Sequence, residues 1–415
     1  MEYGCIGEKL GHSFSKEIHA KLFDYKYELL ELRPEELPAF MGAKKFKAIN
    51  VTIPYKKDVM PFLDEISPRA RAIGAVNTIV NKNGKLYGYN TDFGGMKALI
   101  EHNGIEIKGK KVLVLGSGGT SLTAFAVAKE MGADTILKVS RTPKDGFITY
   151  IEAENQHSDA EVIINTTPCG MYPNIGVSPI NLESFKKLSG VVDAIYNPLK
   201  SQLVANARKR GIKAAGGLYM LVAQGVFAAE KFTDSTIPEE KILKVYNGIL
   251  KDKGNIVLIG MPTSGKSTIG AILAQELEMD FVDTDKLITE REKREIPEII
   301  ATEGESGFRR IEAEVIAEAA ARQNTVIATG GGAILNSKNT EMLSLNGRIY
   351  FLDRPLENLA VTADRPLSND REKLNRLYRE RYDIYCKSAD VIIKCVQEIR
   401  TNVNMIKDDF LKCEF

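Results

Sequence analysis

The chain has 415 residues, of which 44% are hydrophobic and 27% charged, a composition typical of a globular protein with two to four domains. Its 56 lysines and arginines almost cancel its 55 aspartates and glutamates, so no overall charge favours nucleic acid or a membrane surface as a partner. The five cysteines are odd in number and form no C-x-x-C pair, and histidines number four. This argues against a disulfide framework and against a Cys- or His-based metal site.

The amino-terminal residues lack the apolar core of a signal peptide. The longest uncharged apolar stretch, 112–128, is interrupted by three glycines and fits a buried strand, a turn and a helix better than a membrane span. We therefore expect a soluble cytoplasmic protein that is a monomer or a homodimer. Its partners are expected to be small molecules, with no nucleic acid and no membrane.

Residues 1–105 predict a separate α/β lobe that binds a substrate. FKAINVTIP and AVNTIVNKNGKLYGYNTD contain strand-like runs, and NKNGK predicts a hairpin turn. Two helical segments in 218–250 are expected to complete this lobe.

Short polar side chains recur in the motifs of this lobe. GHSFSK predicts that the hydroxyls of Ser13 and Ser15 lie on one side of an extended segment, and the proline of NVTIPYKK places Lys56 in a loop after Thr52. Hydroxyl and amide groups can bind the hydroxyls of a polyol, and a Lys–Asp pair can move a proton to or from a reacting oxygen. The further candidates are Asn77 in GAVNT and Asn90 and Asp92 in YNTD.

From 106 to 217 the pattern predicts a doubly wound domain of the Rossmann type. KVLVLG is a buried strand, GSGGTS a glycine-rich loop, LTAFAVAKEMGA a helix and TILKVS a second strand, which together form a βαβ unit. EVIINTTP and GVVDAIYNP predict two further strands of a parallel sheet.

The glycine-rich loop and the second strand indicate the nucleotide. Gly116 and Gly118 match the first two glycines of a dinucleotide-binding loop, and Ser121 takes the third small position. An NAD site usually carries an acidic residue at the end of the second strand. Here that position carries one cation and two hydroxyls, from Ser140, Arg141 and Thr142. Because these groups suit a 2′-phosphate, we expect NADP(H).

A polar segment, KDKG at 251–254, predicts a short break before another α/β domain over 255–415. NIVLIG predicts a strand, and the helix after the next loop is expected to reach Gln275. Between strand and helix, the sequence fits G-x-x-x-x-G-K-[ST] at Gly260, Gly265, Lys266 and Ser267.

This motif predicts a site for a nucleoside triphosphate and Mg²⁺. Its glycines let backbone N–H groups approach phosphates, Lys266 supplies a cation for the β- and γ-phosphates, and Ser267 offers a hydroxyl to the metal. The motif does not identify the group that receives the phosphoryl.

Other features of this domain concern that acceptor. MDFVDTDKL predicts that Asp283 and Asp285 end an apolar strand with their side chains on one side, so that one serves the metal and the other a hydroxyl. GFRRIEAE places Arg309 at a helix start, where a guanidinium can bind a carboxylate. The remaining features are Gly330, Gly331 and Gly332 after a strand, Arg365 in a loop and Arg381 on a helix.

In this order, the motifs of 255–415 resemble the shikimate kinase family. The pattern GKST, DxD, FRxxE, GGG, RPL and L-x3-R-x3-Y-x3-A ends at Leu377, Arg381, Tyr385 and Ala389. The resemblance implies a P-loop fold and phosphorylation of the 3-hydroxyl of shikimate by ATP. One departure is that the stretch before RPL is short and lacks an arginine expected near the adenine, which predicts weaker ATP binding or lid closure.

The resemblance also implies residue roles. Shikimate would contact Asp285, Arg309, Gly331, Gly332 and Arg381. ATP would be bound by Gly260, Thr263, Ser264, Gly265, Lys266, Ser267 and Thr268. Mg²⁺ would be held by Ser267 and Asp283, while Lys266, Asp285 and the lid arginine Arg365 would be catalytic.

The first half resembles the shikimate dehydrogenase family. The matching motifs are GHSFS, NVTIPYK, GAVNT, YNTD, GSGGTS, SRT, NTTPCGM, DAIYNP and GLYMLVAQ. The resemblance implies NADP-linked reduction of 3-dehydroshikimate, with Lys56 and Asp92 as the catalytic pair. It implies a substrate site of Ser13, Ser15, Thr52, Asn77, Tyr196 and Gln224. The implied cofactor site consists of Gly116, Ser117, Gly118, Gly119, Thr120, Ser121, Ser140, Arg141, Thr142 and Gly217.

Since the product of the first reaction is the substrate of the second, we expect a bifunctional enzyme. It would convert 3-dehydroshikimate to shikimate 3-phosphate on the route to chorismate and the aromatic amino acids. Two alternatives remain open at this point. The first half could be a quinate/shikimate dehydrogenase of broader specificity, or one half could be a non-catalytic regulatory module.

Overall fold

The computed structural model describes residues 1–11, 13–142, 145–360 and 370–412. The chain forms two compact units, Met1–Ile249 and Leu250–Phe415, and both are α/β. Within the described ranges, no helix combines the length and hydrophobicity that a membrane span requires.

The first unit begins with a mixed six-stranded sheet in the order β2-β1-β3-β5-β6-β4. Its strands are β1 (Tyr3–Gly7), β2 (Tyr27–Glu31), β3 (Ala48–Val51), β4 (Glu65–Ile66), β5 (Thr78–Lys82) and β6 (Lys85–Tyr89). Its helices are α1 (Ser15–Leu22), α2 (Leu37–Ala43), α3 (Pro68–Ile73) and α4 (Asp92–His102). The predicted hairpin turn joins antiparallel β5 and β6, with positive φ at Asn83 and Gly84 as such a turn requires.

A second six-stranded sheet follows in the same unit, and all of its strands are parallel, in the order β12-β11-β10-β7-β8-β9. The strands are β7 (Lys111–Leu115), β8 (Thr135–Val139), β9 (Phe147–Ile148), β10 (Val162–Asn165), β11 (Gly190–Asp193) and β12 (Lys213–Ala215). The helices are α5 (Gly119–Glu130), α6 (Tyr150–Gln156) and α7 (Gln202–Lys209). This is the doubly wound arrangement that the sequence predicts.

Two helices follow this sheet, α8 (Leu218–Thr233) and α9 (Glu240–Lys253), and the first unit ends within α9. α8 is apolar along most of its length and packs against α1 and α4 of the first sheet. α9 is longer than the sequence predicts, because it continues through Lys253 and leaves only Gly254 of the predicted break at 251–254 before β13. Two lysines and an aspartate, Lys251, Asp252 and Lys253, are compatible with a last helical turn, where cations interact favourably with the helix dipole.

The second unit has a five-stranded parallel sheet in the order β14-β15-β13-β16-β17. Its strands are β13 (Asn255–Ile259), β14 (Asp280–Asp283), β15 (Thr325–Ala328), β16 (Gly347–Asp353) and β17 (Val391–Lys394). Its helices are α10 (Lys266–Leu277), α11 (Thr284–Glu292), α12 (Ile296–Ala320), α13 (Ser337–Ser344), α14 (Arg371–Ser388) and α15 (Ile399–Lys412).

Both parallel sheets place their cores between strands and flanking helices. β7, β10 and β13 are buried almost throughout, as strands covered on both faces must be. The carboxyl ends of β7 and β13 lead into the two glycine-rich loops. In doubly wound sheets, ligands bind at that edge.

Candidate active sites

Lys56 and Asp92 form a short ion pair in the first unit. Lys56 lies in the turn after β3, as predicted, and Asp92 is the first residue of α4. Lys56 Nζ donates to Asp92 Oδ2 at 2.6 Å, and the side chains are only 12% and 8% exposed. Two opposite charges so shielded hold each other in one geometry and can exchange a proton with a bound oxygen.

The serines near the amino terminus adopt a different conformation from the predicted one. Ser15 begins α1, and Phe14 has φ −85° and ψ 2°, so the segment turns and is not extended. The Ser13 hydroxyl donates to Ser15 Oγ at 3.1 Å and accepts from the Ser15 N–H at 3.3 Å. The segment forms the start of a helix and not the extended strand that its alternating pattern predicts. The hydroxyls of Ser13 and Ser15 nevertheless lie together. Thr52 directly follows β3, one turn before Lys56.

Asn77 belongs to a buried amide network. Its Nδ2 donates to Thr91 Oγ1 at 3.0 Å and to Gln224 Oε1 at 3.3 Å, while its Oδ1 accepts from the Thr91 N–H at 2.7 Å. Asn50, which the sequence analysis did not single out, donates to the Asn77 carbonyl and accepts from the hydroxyl of Tyr27. The network connects four places in the fold: β3 through Asn50, α8 through Gln224, and the residues that precede β5 and α4. It therefore fixes the predicted substrate residues Asn77 and Gln224 relative to each other.

Tyr196 follows β11 and packs edge-on against Phe14, with ring centroids 5.0 Å apart. Burial raises the pKa of Tyr196 to about 12. Its hydroxyl is therefore protonated at neutral pH and can donate a hydrogen bond.

The first glycine-rich loop joins β7 to α5. Gly116 has φ +115°, and a Cβ there would lie 2.6 Å from Thr166 Oγ1, so only glycine fits. A Cβ on Gly119, at the start of α5, would lie 3.4 Å from the Cβ and Cδ of Lys56. The loop thus lies against the Lys56 side chain. The other loop residues are Ser117, Gly118 and Thr120.

The groups predicted to bind a 2′-phosphate lie just after the carboxyl end of β8. Ser140 is buried, while Arg141 and Thr142 are exposed. Arg141 lies near enough to Tyr150 to lower the pKa of that phenol, although burial raises it overall. Gly217 precedes α8, and its Cα lies against the Ala194 carbonyl, where a Cβ would be 2.2 Å from the oxygen.

The second glycine-rich loop joins β13 to α10, as predicted. Gly260 and Gly265 have φ +151° and +96°, conformations that favour glycine. Lys266 Nζ donates to the carbonyls of Gly260 and Met261 at 2.8 and 2.9 Å, so the lysine folds back over its own loop. Thr263 and Ser264 lie within the loop, and Thr268 lies in the first turn of α10.

The predicted metal residues meet beside this loop. Ser267 Oγ donates to Asp283 Oδ2 at 2.5 Å. The argument that Asp283 and Asp285 share one side of a strand is wrong, because β14 ends at Asp283 and Asp285 is already in α11. Asp283 caps that helix by accepting from the N–H groups of Asp285 and Lys286.

Asp285 and Arg309 meet at the three glycines after β15. A Cβ on Gly330 would lie 2.4 Å from Asp285 Oδ1, and one on Gly332 would lie 2.4 Å from Arg309 Nη1. Arg309 does not begin a helix: it lies inside α12, five residues after a kink at Gly304 with φ +73°. The glycine, which the sequence analysis did not weigh, ends one helical segment just before this arginine.

Glu312 is a site residue that the sequence analysis passed over. It is 1% exposed, and its Oε2 accepts from Arg309 Nη1 at 2.7 Å. Burial raises the pKa of Glu312, and the charge of Arg309 lowers it in part. The signal was present in FRxxE, because residues three apart on a helix are neighbours.

Gly331 connects the glycines to α14. Its carbonyl accepts from Arg381 Nη1 at 2.9 Å and from the Tyr385 hydroxyl at 2.5 Å. Arg381 is 5% exposed. Asp285, Arg309 and Arg381 thus bring one carboxylate and two guanidinium groups to the three glycines. Arg365 lies outside the described residues.

Both loops have features that fit the expected nucleotides. Ser121 Oγ in the first and Ser264 Oγ in the second are buried without a hydrogen-bond partner among the described residues. Each loop also opens a helix, whose free N–H groups attract phosphate. No cluster of three or more His, Cys, Asp or Glu side chains suited to a metal occurs in the part of the chain described. Ser267 and Asp283 fit Mg²⁺, which commonly takes few protein ligands and completes its shell with phosphate and water.

Comparisons with known proteins find matches to parts of both units. A family model described as the shikimate dehydrogenase substrate binding domain matches residues 5–79, and one described as shikimate kinase matches residues 262–409. Shikimate dehydrogenase (NADP(+)) of Clostridium perfringens is 40% identical over 269 residues, covering 60% of this chain and 94% of that protein. The enzyme of Clostridium beijerinckii is 38% identical over 262 residues, covering 59% and 96%.

Two solved structures resemble the same part of the chain. Shikimate dehydrogenase 1 from Peptoclostridium difficile has a TM-score of 0.57 at 35% identity and covers 60% of this chain and 98% of that one. A chorismate mutase/shikimate 5-dehydrogenase fusion protein from Clostridium acetobutylicum has a TM-score of 0.56 at 40% identity, covering 60% and 96%.

Proposed function

The chain belongs to the shikimate dehydrogenase family and carries a shikimate kinase domain, and from this premise we propose that it catalyses two consecutive reactions. The first is the NADPH-dependent reduction of 3-dehydroshikimate to shikimate. The second is the phosphorylation of shikimate by ATP to shikimate 3-phosphate. The chain is thus a bifunctional enzyme of the shikimate pathway.

The Lys56–Asp92 pair carries the first assignment. Bound NADPH supplies a hydride to the carbonyl carbon of the substrate. The carbonyl oxygen then needs one proton, and the Lys56 ammonium, held at 2.6 Å by Asp92, is the donor that the site offers. In the reverse direction the same amine takes the proton from the hydroxyl.

The remaining polar groups of the first site would bind the substrate and orient it. We assign the hydroxyls of Ser13, Ser15 and Thr52 to the ring hydroxyls and carboxylate, with the protonated Tyr196 as a further donor. Asn77 and Gln224 would also bind the substrate, held in place by the buried amide network. Ser140, Arg141 and Thr142 would bind the 2′-phosphate that distinguishes NADPH from NADH.

In the second site the chemistry is positioning and charge neutralisation. ATP supplies the phosphoryl group, and Mg²⁺ held by Ser267 and Asp283 would screen its charge. Lys266 would leave the loop carbonyls for the phosphates. Asp285 would accept the proton of the attacking 3-hydroxyl, while Arg309 and Arg381 would bind the shikimate carboxylate.

Substrate and cofactor comparisons test these assignments. Initial rates are measured with 3-dehydroshikimate and 3-dehydroquinate, each with NADPH and NADH, and phosphorylation is measured with shikimate and quinate. We expect a preference for 3-dehydroshikimate with NADPH and for shikimate with ATP. A preference for 3-dehydroquinate or NADH would support the broader quinate-type enzyme. The absence of either activity would support a non-catalytic half.

We further propose that the enzyme acts in the cytoplasm as a monomer or homodimer and that its partners are small molecules only. The support is its chemistry, which draws on the cytoplasmic supplies of both NADPH and ATP. A near-neutral net charge of +1 provides no field for a polyanion. Mass photometry of the purified chain measures the oligomeric state directly.

A further inference from the structure

Arg354 lies at the edge of the sheet where the second unit binds phosphate. It directly follows β16, which pairs in parallel with β13, so the residues after these strands are neighbours. The Leu352 carbonyl lies 3.0 Å from the place that a Cβ on Gly260 would take, and Arg354 Nη1 lies 3.6 Å from the corresponding place on Gly265. The guanidinium therefore lies against the loop that surrounds the nucleotide phosphates.

The residue before Arg354 is held firmly. Asp353 is 7% exposed and accepts hydrogen bonds from Lys394 Nζ and, at 3.1 Å, from the Tyr382 hydroxyl. The Asp353 carbonyl accepts from the Cys395 N–H at 3.0 Å. These contacts fix the end of β16. The carboxylate of Asp353 binds Lys394 and Tyr382 and not the neighbouring Arg354.

The residues after Arg354 are also fixed to the loop. Arg371 donates to the carbonyls of Leu356 and Leu359 at 3.0 and 3.1 Å. Thr263 Oγ1, in the phosphate-binding loop, donates to the Ala360 carbonyl at 3.0 Å. The backbone around Arg354 is thus positioned before any ligand arrives, which lowers the entropy lost on binding.

The guanidinium itself has no hydrogen-bond or ion-pair partner among the described residues, although it is only partly exposed. Every other described arginine of the second unit that is partly or fully buried has such a partner, namely Arg294, Arg309, Arg348 and Arg381. A guanidinium has five N–H donors, and arginine is seldom shielded from water without a partner. An anionic ligand would supply the partner that Arg354 lacks.

We propose that Arg354 binds a phosphate group of the nucleotide in the kinase site, an inference that rests on the proposed kinase function. Phosphate oxygens accept paired N–H bonds from a guanidinium. Lys266 comes from the loop itself, whereas Arg354 reaches the loop from β16. The two cations therefore act from different elements. Arg354 also supplies a positive charge near the nucleotide, whereas the short segment before RPL lacks the arginine expected there.

The test measures nucleotide binding to the full-length enzyme, with Mg²⁺ held constant, by isothermal titration calorimetry. The ligands are ADP, AMP and adenosine, and the variants are Arg354→Gln and Arg354→Lys. Arg376→Gln is the matched control, because Arg376 is 81% exposed on α14 and its ion-pair partner among the described residues is Glu380. Circular dichroism and the KM for shikimate verify that each variant is folded.

We expect Arg354→Gln to weaken ADP binding roughly tenfold or more, since a charged hydrogen bond is lost. Arg354→Lys restores part of the affinity, adenosine binding is unchanged, and Arg376→Gln behaves as the wild type. Equal ADP affinity in wild type and Arg354→Gln would overturn the inference. An equal loss for adenosine would overturn it too, because the guanidinium would then contact the base.

The binding readout separates this inference from the kinase assignment. A wild-type enzyme that binds ADP but does not phosphorylate shikimate refutes the proposed acceptor, while a tenfold loss in Arg354→Gln still supports the contact with phosphate. A wild-type enzyme that binds no nucleotide refutes both.

Discussion

The two sites of this chain differ in what their charged groups contact before any ligand binds. In the dehydrogenase half, Lys56 and Asp92 already form the ion pair to which we assign the proton transfer. In the kinase half, Lys266 binds its own loop, Arg309 binds Glu312 and Arg381 binds the Gly331 carbonyl. In the proposed reaction, these three groups would exchange their internal partners for phosphate and carboxylate oxygens.

The difference follows from the chemistry. Proton transfer requires a donor and its partner at a fixed short distance, so a preformed pair is useful. Phosphoryl transfer depends on cations that surround a polyanion, and these cations need temporary partners when the polyanion is absent. Substitutions in the first site should therefore lower kcat. Substitutions of the internal partners in the second should chiefly raise KM or Kd.

Loss of Lys56 should have the largest effect. Lys56→Met keeps the methylene packing against Gly119 but removes the proton donor, so kcat for 3-dehydroshikimate reduction should fall by about 10²- to 10⁴-fold. NADPH oxidation measures the rate. Lys57→Met, at the exposed neighbouring position, is the control. Unchanged phosphorylation of shikimate in Lys56→Met would show that the loss is confined to one site.

Loss of Lys266 should be nearly as severe in the other half. Lys266→Met removes a cation from the transferred phosphoryl, and kinase kcat should fall by about 10²- to 10³-fold. Coupled detection of ADP measures it, while NADPH oxidation by the same sample should match the wild type. A parallel fall of both activities would contradict two independently working sites.

Glu312 offers a finer distinction. Glu312→Gln keeps the shape of the side chain but removes the buried charge that holds Arg309, so KM for shikimate should rise about tenfold with a smaller change in kcat. Glu314→Gln, on the same helix and 44% exposed, is the control. Steady-state kinetics separate the constants. A fall in kcat alone would mean that Glu312 does not act through substrate binding.

The last prediction concerns local stability and leaves both activities unchanged at neutral pH. Burial raises the pKa of Asp193 to about 6, while its three hydrogen bonds oppose this shift. The folded state therefore binds a proton more tightly than the unfolded chain, in which an aspartate has a pKa of about 4. Local stability should fall as pH rises from about 4 to about 6 and stay level above that, by roughly 3 kcal/mol at most.

Asp193→Asn should remove this pH dependence. Hydrogen exchange of peptides from β10 and β11, corrected for intrinsic rates, reports the local stability. The exposed Asp134→Asn provides the control. Equal slopes with pH in the wild type and Asp193→Asn would mean that this carboxyl is not responsible.

Much of the fold was predictable, because the signals are local. The parallel strands β7, β10 and β13 are short apolar runs that end in turns, and Asn83–Gly84 is a strong hairpin signal. The errors lie where one local pattern competes with another. Asp285 follows an apolar strand, but Asp283 caps a helix there and turns the chain.

The candidate sites were predictable as sets of residues but not as contacts. The motifs place Lys56 and Asp92 in one family pattern, yet only the fold brings residues 36 positions apart to 2.6 Å. FRxxE places Glu312 beside Arg309, but its burial is visible only in the fold. The proposed role of Arg354 depends on its position beside the loop, which the order of residues does not show.

Mass spectrometry of one reaction mixture tests the central claim most directly. The purified full-length chain is incubated with 3-dehydroshikimate, NADPH, ATP and Mg²⁺. We predict that shikimate 3-phosphate appears, with equal losses of NADPH and ATP, and that omission of ATP leaves shikimate. Accumulation of shikimate in the complete mixture would contradict the kinase half. Unchanged 3-dehydroshikimate, with added shikimate still phosphorylated, would contradict the dehydrogenase half.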